Sequence, residues 1–323
     1  MRLAGRAPGK GRDMTTRYIN IHGENVYRAA AALPDRTAPK PTGKTAPRPR
    51  RKVKKRRHPL RTLFLLAVLA AAVWGGMRLL DGARAEADWA SRGIEVQEGT
   101  ASAIAKLARQ DSRAGAILDN PEAYPTDYLD MLARNSETLD FVLGYPTHHG
   151  DAPAQNLTES LDTVPLLLQW DMRWGYQPYG SSTIAVSGCA PVCLSMAASY
   201  LTGDASITPY RVAQYAASAG YYVPGQGTSW SLFSEGASAF GITCRQLSLD
   251  EAQINAALDA GHPVICSMLP GDFTTEGHFI VLYGRTADGY LVRDPNSIAR
   301  SEKTWPYDRL SGQIAALWEC TAM

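Results

Sequence analysis

Acidic side chains are scarce at one end of this 323-residue chain, and basic ones are scarce at the other. Residues 1–80 carry 3 Asp and Glu against 19 Lys and Arg, a local charge of +16; residues 81–323 carry 28 against 14, a local charge of −14; together they give the formal +2. A split this uneven means that the two ends are built for different surroundings. A sustained apolar period is also missing from residues 1–59, which are rich in Pro, Gly, Ala and basic residues. That excludes a packed core there, since too little apolar surface is present to offset chain entropy, and the segment is expected to be a disordered tail. Charge of either sign is missing from Leu63–Met77. With Leu60 counted and Arg78 snorkelling its stem toward the head groups, residues 60–80 reach the roughly 20 positions that a bilayer span needs. The dense basic flank before this run, set against Asp81, Glu86 and Asp88 after it, predicts a cytoplasmic tail and an outside location for the rest. A basic tail beside a spanning helix is better explained by orientation and anionic lipid than by nucleic acid, so the expected partner is the membrane, with no nucleic acid. Ala83-Arg84-Ala85 also fits a small-x-small cleavage site. The uncleaved anchor is preferred, because the tail is long for a signal peptide and Arg78 lies between the apolar core and that site.

Cysteine is sparse as well. There are five, an odd number, and no two of them stand at the two-residue spacing of a zinc site. No disulfide framework follows from them, and Cys193, Cys244, Cys266 and Cys320 are expected to be packing residues. His148 and His149 are adjacent on a predicted linker without converging partners, so a solvated loop is expected there rather than a metal site.

From Ala83 to Gly144 the apolar spacing is helical, with Ile104, Leu107 and Ala108 on one face and Tyr128, Leu129, Leu132, Phe141 and Val142 following, punctuated by Pro121, Pro125 and Pro146. Residues 81–158 are therefore expected to form a helical stalk or small cap with a linker. Residues 159–323 mix helices and strands. Helices are predicted over Pro191–Leu201, Pro209–Ala219 and Trp230–Phe240, and over Asp250–Ala260 behind a capping box of Ser248 and Glu251. Short strands follow at Val264–Leu269, Phe279–Tyr283 and Tyr290–Arg293, the last two joined by Asp288-Gly289. Helices first and antiparallel strands second make an α+β fold.

Gly188-Cys189-Ala190-Pro191 places a thiol where a glycine-bearing loop meets a helix whose first turn accepts proline. The free N–H groups and positive end of such a helix favour an anion. Gly277-His278-Phe279 places a histidine at the start of an apolar strand, and Asp294-Pro295-Asn296 closes the next one. Antiparallel pairing puts the start of the first strand beside the end of the second, so His278 and Asp294 are predicted to be neighbours, the carboxylate holding the imidazole toward the thiol. Gln169, ahead of the cysteine in Leu168-Gln169-Trp170, can donate to an oxyanion together with the backbone N–H of Cys189. Trp170, Trp174, Trp230 and Tyr222 are candidates for a groove that takes an extended peptide.

The order Gln169, Gly188-Cys189-x-Pro191, Gly277-His278-Phe279, Asp294-Pro295 resembles the papain-like bacteriocin-processing (double-glycine) peptidase family over about Leu161–Thr321. The resemblance implies a papain-like cysteine peptidase fold in a stand-alone, membrane-anchored branch. It implies Cys189 as nucleophile, His278 as base, Asp294 as orienting residue, Gln169 as oxyanion donor, a peptide or protein substrate, and no metal or other cofactor. Ala190 and Val192 stand where the commoner family pattern has glycine and threonine, so Ala190 is expected to give the substrate pocket a different shape. A cell-wall peptide amidase on the same fold and a catalytically silent binding module are the alternatives.

Overall fold

The computed structural model describes residues 59–323, so the expected tail, apart from Pro59, lies outside the described residues. The Arg78 side chain, assigned above to snorkelling, also lies outside them.

Helix α1 spans Pro59–Ser91. It is long and apolar enough to cross a membrane by length and composition, and Leu63, Phe64, Leu66, Leu69, Val73 and Met77 are all more than half exposed. The helix does not stop at residue 80. It runs on without a break to Ser91, where Trp89 is buried. The longer helices that follow are α2 (Thr100–Ala108), α3 (Thr126–Arg134) and α4 (Leu139–His148), with the short helix Gly115–Asp119 between α2 and α3. Pro146 does not end α4; it sits near the helix end, where its missing N–H costs a single bond. At Gly82 α1 passes so close to α2 that a Cβ would lie 2.3 Å from Ser102 Oγ. One turn on, the Glu86 carboxylate accepts the Ser102 N–H at 2.8 Å, satisfying a free donor in the first turn of α2.

These helices are not held apart as a stalk. Trp89, Ile104, Ile117, Tyr128, Leu129, Leu132 and Phe141 form one apolar cluster with Trp170, Tyr176 and Ala185 of the C-terminal part. Phe141 stacks on Tyr176 with ring centroids 4.2 Å apart, and the Tyr176 hydroxyl donates to the Phe141 carbonyl at 2.6 Å. The expected linker is packed too: Leu157 is buried, and its N–H donates to the Ala205 carbonyl.

The C-terminal part is the expected α+β fold. Helix α5 (Cys189–Thr202) ends at Gly203, which takes the left-handed conformation that glycine adopts without penalty, and α6 (Pro209–Ser218) is capped by the Thr208 side chain. The predicted helix over Trp230–Phe240 is instead two single turns, Ser231–Ser234 and Gly236–Phe240, broken around a glycine that fits against the Tyr221 ring. Strand β1 (Ile242–Leu247) precedes α7 (Glu251–Asp259). The N-cap of α7 is Asp250, whose carboxylate accepts the Gln253 N–H, so the expected Ser248–Glu251 capping box is displaced by two residues. Then come β2 (Val264–Met268), β3 (His278–Thr286), β4 (Gly289–Arg293), the short helix α8 (Ile298–Ser301), β5 (Thr304–Trp305) and β6 (Ile314–Ala322). The six strands form one antiparallel sheet in the order β1-β6-β2-β3-β4-β5.

Alternating side chains serve two cores. Ile265, Phe279, Val281 and Trp318 pack under α5 and α6, while Cys266, Ile280, Leu282 and Leu317 pack with Ile254 and Leu258 of α7 on the other face.

Cys244 and Cys320 stand opposite one another in the β1–β6 register and are joined as a disulfide. This corrects the expectation that both are packing residues: their pairing depends on a register between strands 76 residues apart in sequence. Cys189, Cys193 and Cys266 are free thiols.

Candidate active site

The first residue of α5 is Cys189 and the first residue of β3 is His278, and α5 lies against β3. Gly188 makes the sharp entry into α5 possible, since a Cβ there would stand 2.4 Å from the Ile184 carbonyl oxygen and 2.9 Å from its Cα. The third residue, Asp294, follows β4. In the β3–β4 ladder the register shifts by one between Leu282 and Gly284. Arg293, the last residue of β4, pairs with Val281, so Asp294 leaves the ladder close to the start of β3, where His278 stands.

His278 Nε2 and Asp294 Oδ1 are 2.8 Å apart. That leaves Nδ1 for the Cys189 thiol, which together with Asp294 favours the charged imidazole. His278 is 6% exposed and Asp294 is fully buried, whereas Cys189 is partly exposed. Burial alone would make the imidazole less basic. The charge and hydrogen bond of Asp294, with a further hydrogen bond to Cys189, outweigh it and raise the imidazole's pKa to about 10. Burial would likewise raise the Asp294 carboxyl, but His278 and Arg300 hold it below the usual carboxylate range. Asp294 Oδ1 also accepts the Asn296 N–H at 2.8 Å, and Oδ2 accepts the Arg300 Nε–H. Arg300 is a neighbour that the sequence reading missed; its position in the chain carries no signal without the turn of α8 that folds it back.

Gln169 is buried at the same place. Its N–H donates to the Pro295 carbonyl at 2.7 Å, and its Nε2 donates to the Ala185 carbonyl at 2.6 Å. Gln169, Cys189, His278 and Arg300 line one cleft of about 530 Å³. The loop from Gly271 to Gly277 also lines that cleft, as does the helical cap through Gln97, Asp127, Met131, Arg134 and Asn135.

The expected groove residues lie elsewhere. Trp174 and Ala190 are fully buried in the core under α5. Trp170 packs into the cap cluster, its Nε1–H donating to the Asn296 carbonyl at 3.3 Å. Trp230 is half-exposed but stacks edge-on against Trp318, and the Tyr222 hydroxyl bonds Ser181. None of the five is among the cleft-lining residues.

A mixed fold with helices on both faces of an antiparallel sheet, and a helix-start thiol against a buried His–Asp pair, is that of the papain-like cysteine peptidases. Within that class the chain belongs to the Peptidase_C39 like family, whose model matches residues 161–322. Two solved structures are similar to it. One is the peptidase domain of Streptococcus ComA, described as a bi-functional ABC transporter involved in a quorum sensing pathway, with 18% identity over 42% of this chain and 93% of that one and a TM-score of 0.34. The other is described as a C39-like peptidase from Bacillus anthracis, with 16% identity over 48% of this chain and 94% of that one and a TM-score of 0.31. No curated protein matches the chain. The cap that walls the cleft lies before the family match.

Proposed function

We propose that the protein is a membrane-anchored, extracytoplasmic cysteine peptidase that hydrolyses peptide bonds in peptide or protein substrates. The observation that carries this reading is the buried His278–Asp294 pair beside the partly exposed Cys189 thiol, with Cys189 and His278 lining one cleft of about 530 Å³. Cys189 gives its proton to His278, whose imidazolium Asp294 stabilises. The Cys189 sulfur attacks the amide carbonyl carbon and a C–S bond forms. Collapse of the tetrahedral intermediate breaks the C–N bond while His278 passes its proton to the leaving amine. Water then attacks the thioester with His278 taking a proton; the acid product leaves and the thiolate–imidazolium pair returns. The developing oxyanion accepts from the Cys189 N–H, which has no intrahelical acceptor at the first helical position, and from the second Nε2–H of Gln169.

The anchor reading rests on α1 and on the one-sided basic flank. The Cys244–Cys320 disulfide supports an oxidising compartment for the domain. The test is alkylation of the full chain in detergent with iodoacetamide at neutral pH, the adduct located by mass spectrometry. Rapid labelling at Cys189, abolished in Cys189→Ala and strongly slowed in His278→Ala, is expected. Slow, unselective labelling of all free thiols would refute the reading.

A further inference from the structure

Asp294 takes its orientation from the segment that follows it, through the Asn296 N–H on Oδ1 and Arg300 on Oδ2. That segment is held in turn by the helical cap. Asn135 Nδ2 donates to the Asn296 carbonyl at 2.6 Å. Glu137 accepts the Ser297 hydroxyl on Oε1 and the Ile298 N–H on Oε2, both at 2.6 Å, with the Ala299 N–H a further 3.4 Å contact on Oε1. One carboxylate thus collects three donors from three successive residues between Asp294 and Arg300.

We propose that Glu137 is a positioning residue for the catalytic centre: by clamping the 296–300 segment it sets Asp294, and through it the His278 imidazole, so that the helical cap is a working part of the peptidase. This rests on Cys189, His278 and Asp294 acting as described above. The clamp is stiff at both ends. Glu137 is the middle residue of the short turn Ser136–Thr138 after α3, where the Asn135 side-chain oxygen accepts the Glu137 N–H, and the cap shares its core with the segment leading to Cys189. Misplacement of a catalytic group by about 1 Å is enough to cost about 100-fold in rate.

The test uses the full chain in detergent and the rate of Cys189 alkylation by iodoacetamide from pH 5 to pH 9, which needs no known substrate. The groups facing the Cys189–His278 pair are Asp294, Arg300 behind it, Cys193 and Tyr179, and none of these is altered. Glu137→Ala is expected to slow alkylation at neutral pH about tenfold and to move the pH profile upward, a geometric loss well inside the 1 Å penalty. Glu137→Gln keeps an acceptor for the Ile298 N–H and is expected to recover the rate to within about threefold of the unaltered protein. Should Glu137→Ala not fold, Asn135→Ala, which removes the hydrogen bond to the Asn296 carbonyl, decides by the same profile. Glu137→Ala, or Asn135→Ala in its place, that folds, keeps the disulfide and gives an unaltered pH profile overturns the proposal alone. Slow labelling of Cys189 in the unaltered protein overturns the peptidase reading and this proposal with it.

Discussion

At the scale of single residues, His278 and Asp294 make stability depend on pH in two separate windows. The folded imidazole has its pKa raised to about 10, against about 6.5 in an unfolded chain. Its protonated form is therefore favoured by folding, and that stabilisation is complete below about pH 6.5 and lost as pH rises toward 10. Asp294 has its pKa lowered, so its contribution is present above about pH 4, its unfolded value, and is lost as pH falls further. Thermal melts should show a plateau between those limits and a decline on either side. Asp294→Asn, which removes the carboxylate that keeps His278 charged, should flatten the alkaline decline. An equal alkaline slope in that variant would mean that other groups govern it. These two residues were legible in the sequence because a hairpin with a two-residue turn fixes which strand ends meet. Arg300, Asn135 and Glu137 were not. Their contacts with the Asp294 segment depend on how α8 turns and on where the cap docks, and no local spacing reports either.

At the scale of elements, the entry to α5 and the β1–β6 pair make opposite demands on the chain. Gly188→Ala would drive a Cβ into the Ile184 backbone. It should shift Cys189 and slow its alkylation about tenfold or more, at a stability cost of about 1–3 kcal/mol from overpacking. Gly277→Ala, next to His278 but with nothing within 4 Å of the added carbon, should leave both nearly unchanged. Equal behaviour of the two variants, read by alkylation rate and melting temperature, would refute the account of Gly188. Replacing Cys244 and Cys320 together by alanine should cost about 2–4 kcal/mol in denaturant unfolding, since the bond closes a long loop. A loss below about 1 kcal/mol would mean that the strand pairing alone holds the C-terminus. The helices α5 and α6 and strands β2, β3 and β4 were legible from apolar runs bounded by Gly and Pro. The two strands bearing the disulfide were not identified, although Ile242 and Cys244 are buried while Thr243 and Arg245 are exposed, an alternation that is a usable strand signal. Of the expected groove residues, Trp174 fills the core and is absent from the cleft lining, its large apolar ring buried with its N–H bonded to the Leu168 carbonyl.

At the scale of the whole molecule, α1 runs without a break from its membrane-length part into the cap, and this bears on the proposed anchor. A flexible tether would let the cleft sample many heights and directions. Here the helix continues to Ser91, packs on α2 through Gly82 and Glu86, and the cap joins both the cleft wall and the Asp294 segment. The 33 residues of α1 make a rod of about 50 Å at 1.5 Å per residue. Of this, about 30 Å is needed to cross the hydrocarbon core. On the proposed anchoring, the cap begins within a few helical turns of the lipid surface. In intact cells producing the full chain, a membrane-impermeant maleimide added outside should label Cys189, and Cys189→Ala should remove the signal. Cys193 and Cys266 should stay unlabelled in the folded protein, because both are fully buried and burial pushes both thiols well above their ordinary range. Labelling that appears only after the membrane is broken would reverse the topology drawn from the basic flank. Labelling of Cys189 from outside that stays as fast after a flexible Gly-Ser insert between Asp81 and Gly82, while cleavage of membrane-tethered substrates falls, would separate the chemistry of the site from its reach.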